Sequence, residues 1–393
     1  MSDAALAGAG GPPAVQRAVL GVAIAGLAVG GIALAGDGWR HGALFLVGGL
    51  LGLTLYHAAF GFTAAYRRLF VARDVTGMRA QMLMLAVATV LFAPFLADGA
   101  AFGQPVAGAV APVGVQVVAG AFLFGLGMQL GGGCGSGTLF TVGGGNARML
   151  VTLAAFVAGS FWASLHMGWW WQAPALPPVS LGRDLGWPAA VALQLAVFLV
   201  IAEGLRRWGR PAEAAIDRTA SIWRRLATGP WPLVIGAVML ALLNLATLML
   251  AGHPWTITWA FTLWGAKAAQ AVGWGPSGSV FWSGAFQARA LAGGVLDDVT
   301  SVMNLGIVLG ALGAAALAGR FRPSLRIPLP SLAAAVLGGL LMGYGARIAF
   351  GCNIGAFFSG VASTSLHGWV WIAAALLGSW VGVKARPRFG LAN

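Results

Sequence analysis

Leu130-Gly131-Gly132-Gly133-Cys134-Gly135-Ser136-Gly137 closes an apolar run, Val113 to Leu130, that otherwise reads as a membrane helix. Each glycine inside a helix costs roughly 1 kcal/mol against alanine, so a cluster this dense ends the helix. A stretch of the same kind, Gly351-Cys352-Asn353-Ile354-Gly355, follows another apolar run near the C-terminus. The chain holds two cysteines, and each stands in one of these breaks. The pattern predicts two loops at membrane depth that form one site, with the rest of the chain holding them.

The flanking sequence fits that depth. Of 393 residues, 59% are hydrophobic and 8% are charged, whereas a soluble domain carries about 25% charged residues. The expected fold class is therefore an all-α polytopic membrane protein. Its 61 glycines suit close helix packing and its 17 tryptophans suit interface anchoring. The net charge of +13 comes from basic residues dispersed in short clusters between apolar runs. That is positive-inside topology and excludes a nucleic-acid partner. Two cysteines in Gly-rich apolar loops do not make a disulfide framework. Neither has a His or Cys at metal-ligand spacing, so no metal and no cofactor is expected. The stretch 1–15 lacks a basic n-region, and no cleavable signal is expected.

Candidate membrane helices are 18–36, 43–60, 79–97, 113–130, 148–170, 187–205, 229–251, 257–273, 299–319, 331–349 and 367–383. The segment 206–228, with Arg206, Arg207, Arg210, Arg218, Arg224 and Arg225, is read as a basic cytoplasmic linker between a first half, 1–205, and a second, 229–393. The halves read as repeats. Setting Cys134 over Cys352, an offset of 218, brings Gly120 onto Gly338, Gly125 onto Gly343, Gly127 onto Gly345 and Phe140 onto Phe358. The 67–79 loop holds four arginines, while its partner near 285–298 holds Arg289 and ends in Asp297-Asp298. The 98–112 loop has no Lys or Arg, while its partner holds Arg320, Arg322 and Arg326. Basic and non-basic loops have exchanged places, so the halves are expected to be inverted, pseudo-symmetric repeats. Inversion requires one segment to re-enter rather than cross, and Gly273 to Phe281 is the expected one.

A glycine-rich loop at membrane depth exposes backbone N–H groups that only protein or a lined cavity can satisfy. Helices restarting after each loop would aim their positive ends at it. Two such ends and two thiols, facing each other, make an anion site with soft donors. A thiol is a weak S–H donor, and weak contacts suit conduction. The bland reading is that both cysteines are small buried hydrophobes; their confinement to matching breaks favours the functional one. Neutral thiols are expected, because a fixed negative charge would repel an anion. The candidate substrate-binding residues are Cys134, Cys352, Gly132, Gly133, Gly135, Ser136, Gly351, Asn353 and Arg347. Asn353 adds an amide donor, and Arg347 is a charge inside a membrane helix; the arginine may equally neutralise carbonyl ends of a broken helix. Lys267 draws weaker suspicion on the same ground. Asn146 reads as a helix cap, Arg148 as an interface anchor, His57 and His367 as packed or interfacial, and Trp169-Trp170-Trp171 as an aromatic belt. Ser136, Thr138, Ser359 and Ser363 either line a path or serve helix packing.

At the stretches from Gly125 to Phe140 and from Gly345 to Ser359, followed by Gly368-Trp369, the chain resembles the YeeE/YedE family of bacterial inner-membrane sulfur transporters. The resemblance extends over most of the chain. It implies thiosulfate uptake through an hourglass-shaped protein whose loops meet at mid-membrane, with the anion passed along cysteines by S–H hydrogen bonds. Cys134 and Cys352 match two of those cysteines. The family pattern has a third in a Phe-Cys-Phe context, where this chain reads Phe60-Gly61-Phe62; by the same offset the repeat counterpart of Gly61 is Ser279. The missing thiol leaves a related sulfur or selenium species open as substrate. The first expectation is a permease for thiosulfate or a similar anion, without covalent chemistry or ATP and not an enzyme. The alternatives are a membrane thiol redox protein, and an accessory subunit for a small soluble sulfur-carrier protein docked on the 206–225 arginines.

Overall fold

The computed structural model describes residues 14–36, 38–210, 222–323 and 325–393. Arg218 of the basic linker and residues 1–13 of the N-terminal stretch lie outside the described residues. The protein is helical. Seven helices come first: α1 (Arg17–Gly36), α2 (Trp39–His57), α3 (Phe62–Ala72), α4 (Thr76–Asp98), α5 (Val115–Gly131), α6 (Gly135–Gly143) and α7 (Ala147–Leu165). Two short turns, α8 (Met167–Trp170) and α9 (Leu181–Asp184), lead to α10 (Trp187–Trp208). After α11 (Ile222–Thr228) follow α12 (Leu233–Ala251), α13 (Thr258–Ala271), α14 (Ala285–Ala292), α15 (Val299–Leu317) and α16 (Leu329–Ile348). A wide π-type turn, Asn353–Phe358, runs into α17 (Ser359–Ala362), and α18 (Leu366–Ala385) completes the bundle.

Ten helical segments among the described residues are long and apolar enough to cross a bilayer. The protein is a multi-pass membrane protein. α1 has a mean hydropathy of 2.3 yet only 11% of its apolar window is buried, and α10 is similarly bare at Leu199 and Val200. Apolar surface of that extent is stable only against lipid. Of the candidate helices read from the sequence, 257–273 is not among these ten. That segment folds as α13, 14 residues long, or about 21 Å, which is short of a hydrocarbon core of about 30 Å. α13 is thus shorter than a straight crossing needs. Trp255, on the approach to it, is fully buried, with its backbone N–H held by Asn244 Oδ1 at 2.8 Å.

Helix contacts come in matched pairs. α5 packs along α18 as α16 packs along α7, and α15 along α2 as α12 along α4. α3 lies on α18 as α13 lies on α7, and α10 on α4 as α1 on α15. α5 and α16 cross on glycines: a Cβ at Gly127 would fall 2.7 Å from the Gly338 carbonyl, and one at Gly338 would fall 2.7 Å from the Gly127 carbonyl. Gly120 and Gly345 stand in the same mutual relation one turn and more away. Side chains absent from these positions let two backbones touch, the usual basis of helix association in lipid.

α3 and α4 are separated by residues 73–75, but α13 and α15 by residues 272–298, which carry α14. Gly61 stands at the start of α3 and Ile257 at the start of α13. Ser279 accepts from the Trp282 amide at 3.4 Å.

Candidate functional site: two thiols at facing helix starts

α5 ends at Gly131, and four carbonyls at such an end lack helical partners. All four are met. The Met128 carbonyl accepts from Gly132 N at 3.0 Å. Gln129 O accepts from Arg386 Nη1 at 2.6 Å. Leu130 O and Gly131 O accept from Arg148 Nη2 and Nη1 at 2.7 and 2.6 Å. Two guanidinium groups placed against the negative end of a helix gain from its dipole as well as from the bonds. Arg148 is therefore the cap of α5, not an interface anchor, and its Nε is held by Ser331 Oγ at 2.8 Å. Asn146 does cap α7, accepting from Met149 N at 3.3 Å.

With α5 closed off, Gly132 turns the chain at φ +94°, and Cys134 begins α6 in extended geometry, φ −84°, ψ −165°. The Thr138 amide and hydroxyl both donate to the Cys134 carbonyl at 2.8 Å. Cys134 Sγ lies 3.4 Å from Ser136 Oγ. The second loop repeats this construction. Gly351 turns at φ +146°, and Cys352 starts the next helical segment at φ −104°, ψ −166°. The amides of Ala356 and Phe357 return to the Cys352 carbonyl at 2.9 and 3.4 Å, which makes the π turn. Cys352 Sγ accepts from Ile354 N at 3.4 Å. A thiol that accepts an amide proton with its lone pair keeps its own S–H to donate outward.

The loops touch. A Cβ on Gly135 would lie 3.0 Å from Cys352 Sγ and 3.4 Å from Ile257 Cγ2. Cys352 thus packs on the residue next to Cys134, and both thiols are free and buried. Two helix starts converge here, so orphan N–H groups and positive dipole ends face one small volume. A cavity of about 340 Å³ reaches Cys134, lined among others by Tyr56, Gly61, Thr63, Gly132, Gly133 and Arg320. Gly61 has ordinary extended backbone, and a Cβ there would meet nothing closer than 3.7 Å.

The structure brings Cys134, Gly135, Ser136, Cys352, Gly351 and Asn353 together, with Gly132 and Gly133 on the cavity wall. It does not bring Arg347 there. That guanidinium lies over the rings of Phe281 and Trp259 at 5.1 and 6.0 Å, in a separate aromatic cluster. Lys267 donates to Leu291 O and Gly293 O at 2.5 and 2.6 Å and so caps α14. Ser359 and Ser363 are engaged in packing: Ser359 Oγ donates to Trp255 O at 2.7 Å, and Ser363 Oγ accepts from Ala109 N at 2.9 Å. His57 stacks near Trp231 at 5.4 Å, and His367 Nδ1 lies 2.7 Å from Ser365 Oγ, so both are packed histidines.

Residues missed by the sequence reading are Tyr66 and Gln81. Asn353 Nδ2 donates to Tyr66 Oη at 2.9 Å, and Tyr66 donates to Gln81 Oε1 at 3.2 Å. A glutamine inside an otherwise apolar helix was the available signal.

A family model described as Sulphur transport matches residues 57–381. "Thiosulfate transporter TsuA" of Spirochaeta thermophila is 29% identical over 359 residues, covering 85% of this chain and 96% of that protein. The Escherichia coli (strain K12) protein of the same name is 25% identical over 360 residues, 87% of this chain and 94% of its own. "Probable transporter YedE" of Escherichia coli (strain K12) is 35% identical over 157 residues, 39% of this chain and 37% of its own length. The chain thus matches little more than a third of YedE but nearly all of the TsuA proteins.

Proposed function

The chain belongs to the sulphur-transport family, and from that premise we propose that it is an inner-membrane permease for thiosulfate or a closely related small sulfur anion, conducted past Cys134 and Cys352. One observation carries the reading: two buried thiols stand at the starts of two helical segments that meet through Gly135. The anion is drawn into the cavity beside Arg320 and shed of water in steps. At the constriction, loop amides and the positive ends of α6 and the Asn353–Phe358 segment offset the lost hydration. The S–H groups donate to a sulfur or oxygen of the anion. No bond is broken and no fixed cation holds the substrate, so each contact is weak enough to release it. The two relatives named as thiosulfate transporters point to the same substrate.

The matched helix pairs and the mutual glycine contacts support inverted repeats about an axis near the α5–α16 crossing. Under positive-inside orientation the end with Arg148, Arg320, Arg322 and Arg326 faces the cytoplasm. Arg206 and Arg207 bind Glu203 at 2.7 Å. The test is uptake of labelled thiosulfate, sulfite and selenite by cells lacking other routes. Cys352→Ala is expected to abolish thiosulfate uptake at normal expression; normal uptake by that variant would overturn the relay.

A further inference from the structure

Asn353 is fully buried beside Cys352, and its Oδ1 has no hydrogen-bond partner. A buried acceptor left bare costs free energy and calls for an explanation. The other end of the same amide is bound. Nδ2 donates to Tyr66 Oη, which donates to Gln81 Oε1. Tyr66 is itself fully buried, its ring set against Phe62 at 6.4 Å. Gln81 also lines a cavity of about 10 Å³ with Gly61 and Arg68, the scale of a single water.

We propose that Gln81 and Tyr66 are positioning residues that set which end of the Asn353 amide faces the anion site, and that turning this chain of bonds end for end makes the site accept an anion. The chain has two senses. In one, protons point from Asn353 to Gln81, and the amide shows the site a bare acceptor. In the other, Gln81 Nε2 donates to Tyr66, Tyr66 donates to Asn353 Oδ1, and Nδ2 shows the site a donor. The two differ by half-turns of two amides and one hydroxyl rotation, with no displacement of the helices. A water in the cavity beside Gln81 would serve either sense, since it both donates and accepts. The second sense adds an N–H donor when an anion arrives. A phenol between two amides is suited to this because its hydroxyl donates and accepts at once.

The inference rests on the permease reading and deepens it. The measurement is concentration-dependent thiosulfate uptake by wild type, Tyr66→Phe, Asn353→Ala and the double variant, each checked for expression and monodispersity. Tyr66→Phe keeps the ring and removes only the hydroxyl. It is expected to raise KM about tenfold, the worth of a buried hydrogen bond, with the maximal rate within about twofold. The double variant is expected to be no worse than Asn353→Ala alone, because the hydroxyl acts only through that amide. An unchanged KM in Tyr66→Phe, or losses that multiply in the double variant, overturns the inference. If wild type takes up no thiosulfate, the permease reading fails separately. The same variants are then compared by thermal shift with sulfite, selenite and sulfide, using the anion that stabilises wild type. Loss of that shift in Tyr66→Phe supports the positioning role, and an unchanged shift, or no shift in wild type with any of these anions, overturns it.

Discussion

Arg148 and Arg386 show how single residues hold the site without entering it. Between them they meet three consecutive carbonyls at the end of α5, and that end fixes where Gly132 turns and where Cys134 begins α6. Arg148→Ala is expected to lower stability in detergent by about 3 kcal/mol, the range for losing charge-assisted bonds to buried carbonyls. A melting curve reads this, and Arg148→Lys should restore only part, since one ammonium cannot match the guanidinium fork. Gly135 acts by absence. A methyl there would press on Cys352 Sγ at 3.0 Å, an overpacking worth about 1–3 kcal/mol at a constriction. Gly135→Ala should cut uptake at least about tenfold, on the same energy scale, with expression unchanged.

At the scale of the element, each cysteine break joins a long helix, α5 or α16, to a short helical segment, α6 or Asn353–Phe358. α5 and α16 approach through Gly127 and Gly338, so their crossing sets the distance between the two cysteine loops. Gly338→Val is expected to destabilise by roughly 1–3 kcal/mol or more through backbone clash, and to lose uptake together with stability, which a paired melting and uptake measurement will show. Lys267→Met gives the contrast. It frees the end of α14, distant in sequence from both cysteines, and uptake should stay within about twofold. The insertion between α13 and α15 is therefore expected to tolerate change that the α5–α16 crossing does not.

For the whole molecule, the prediction concerns sidedness. α15 alone separates the 285–298 segment from the 320–326 segment, so they lie at opposite ends of one crossing helix. Single cysteines placed in each, in a background lacking Cys134 and Cys352, should react with an impermeant thiol reagent from opposite faces of the membrane. Labelling of both from one face would remove the inverted arrangement. In the native chain the cavity beside Arg320 reaches Cys134, whereas Cys352 is fully buried and packs on Gly135. A small reagent applied to the basic face should modify Cys134 first.

Sequence by itself determined the membrane-helical class, most helix positions and the two glycine-cysteine breaks between helices, because hydropathy, glycine clusters and cysteine placement are local and additive along the chain. It also marked Asn353, since a polar residue in an apolar break is visible without coordinates. Tertiary structure decided what the cations do. Arg148, Lys267 and Arg347 look alike in sequence as charges in apolar surroundings. Only packing shows two of them capping other helices' carbonyls and the third lying on aromatic rings. It also decided that Tyr66 reaches Asn353. That depends on how helices far apart in the chain are set against each other, and no single stretch of sequence carries that information.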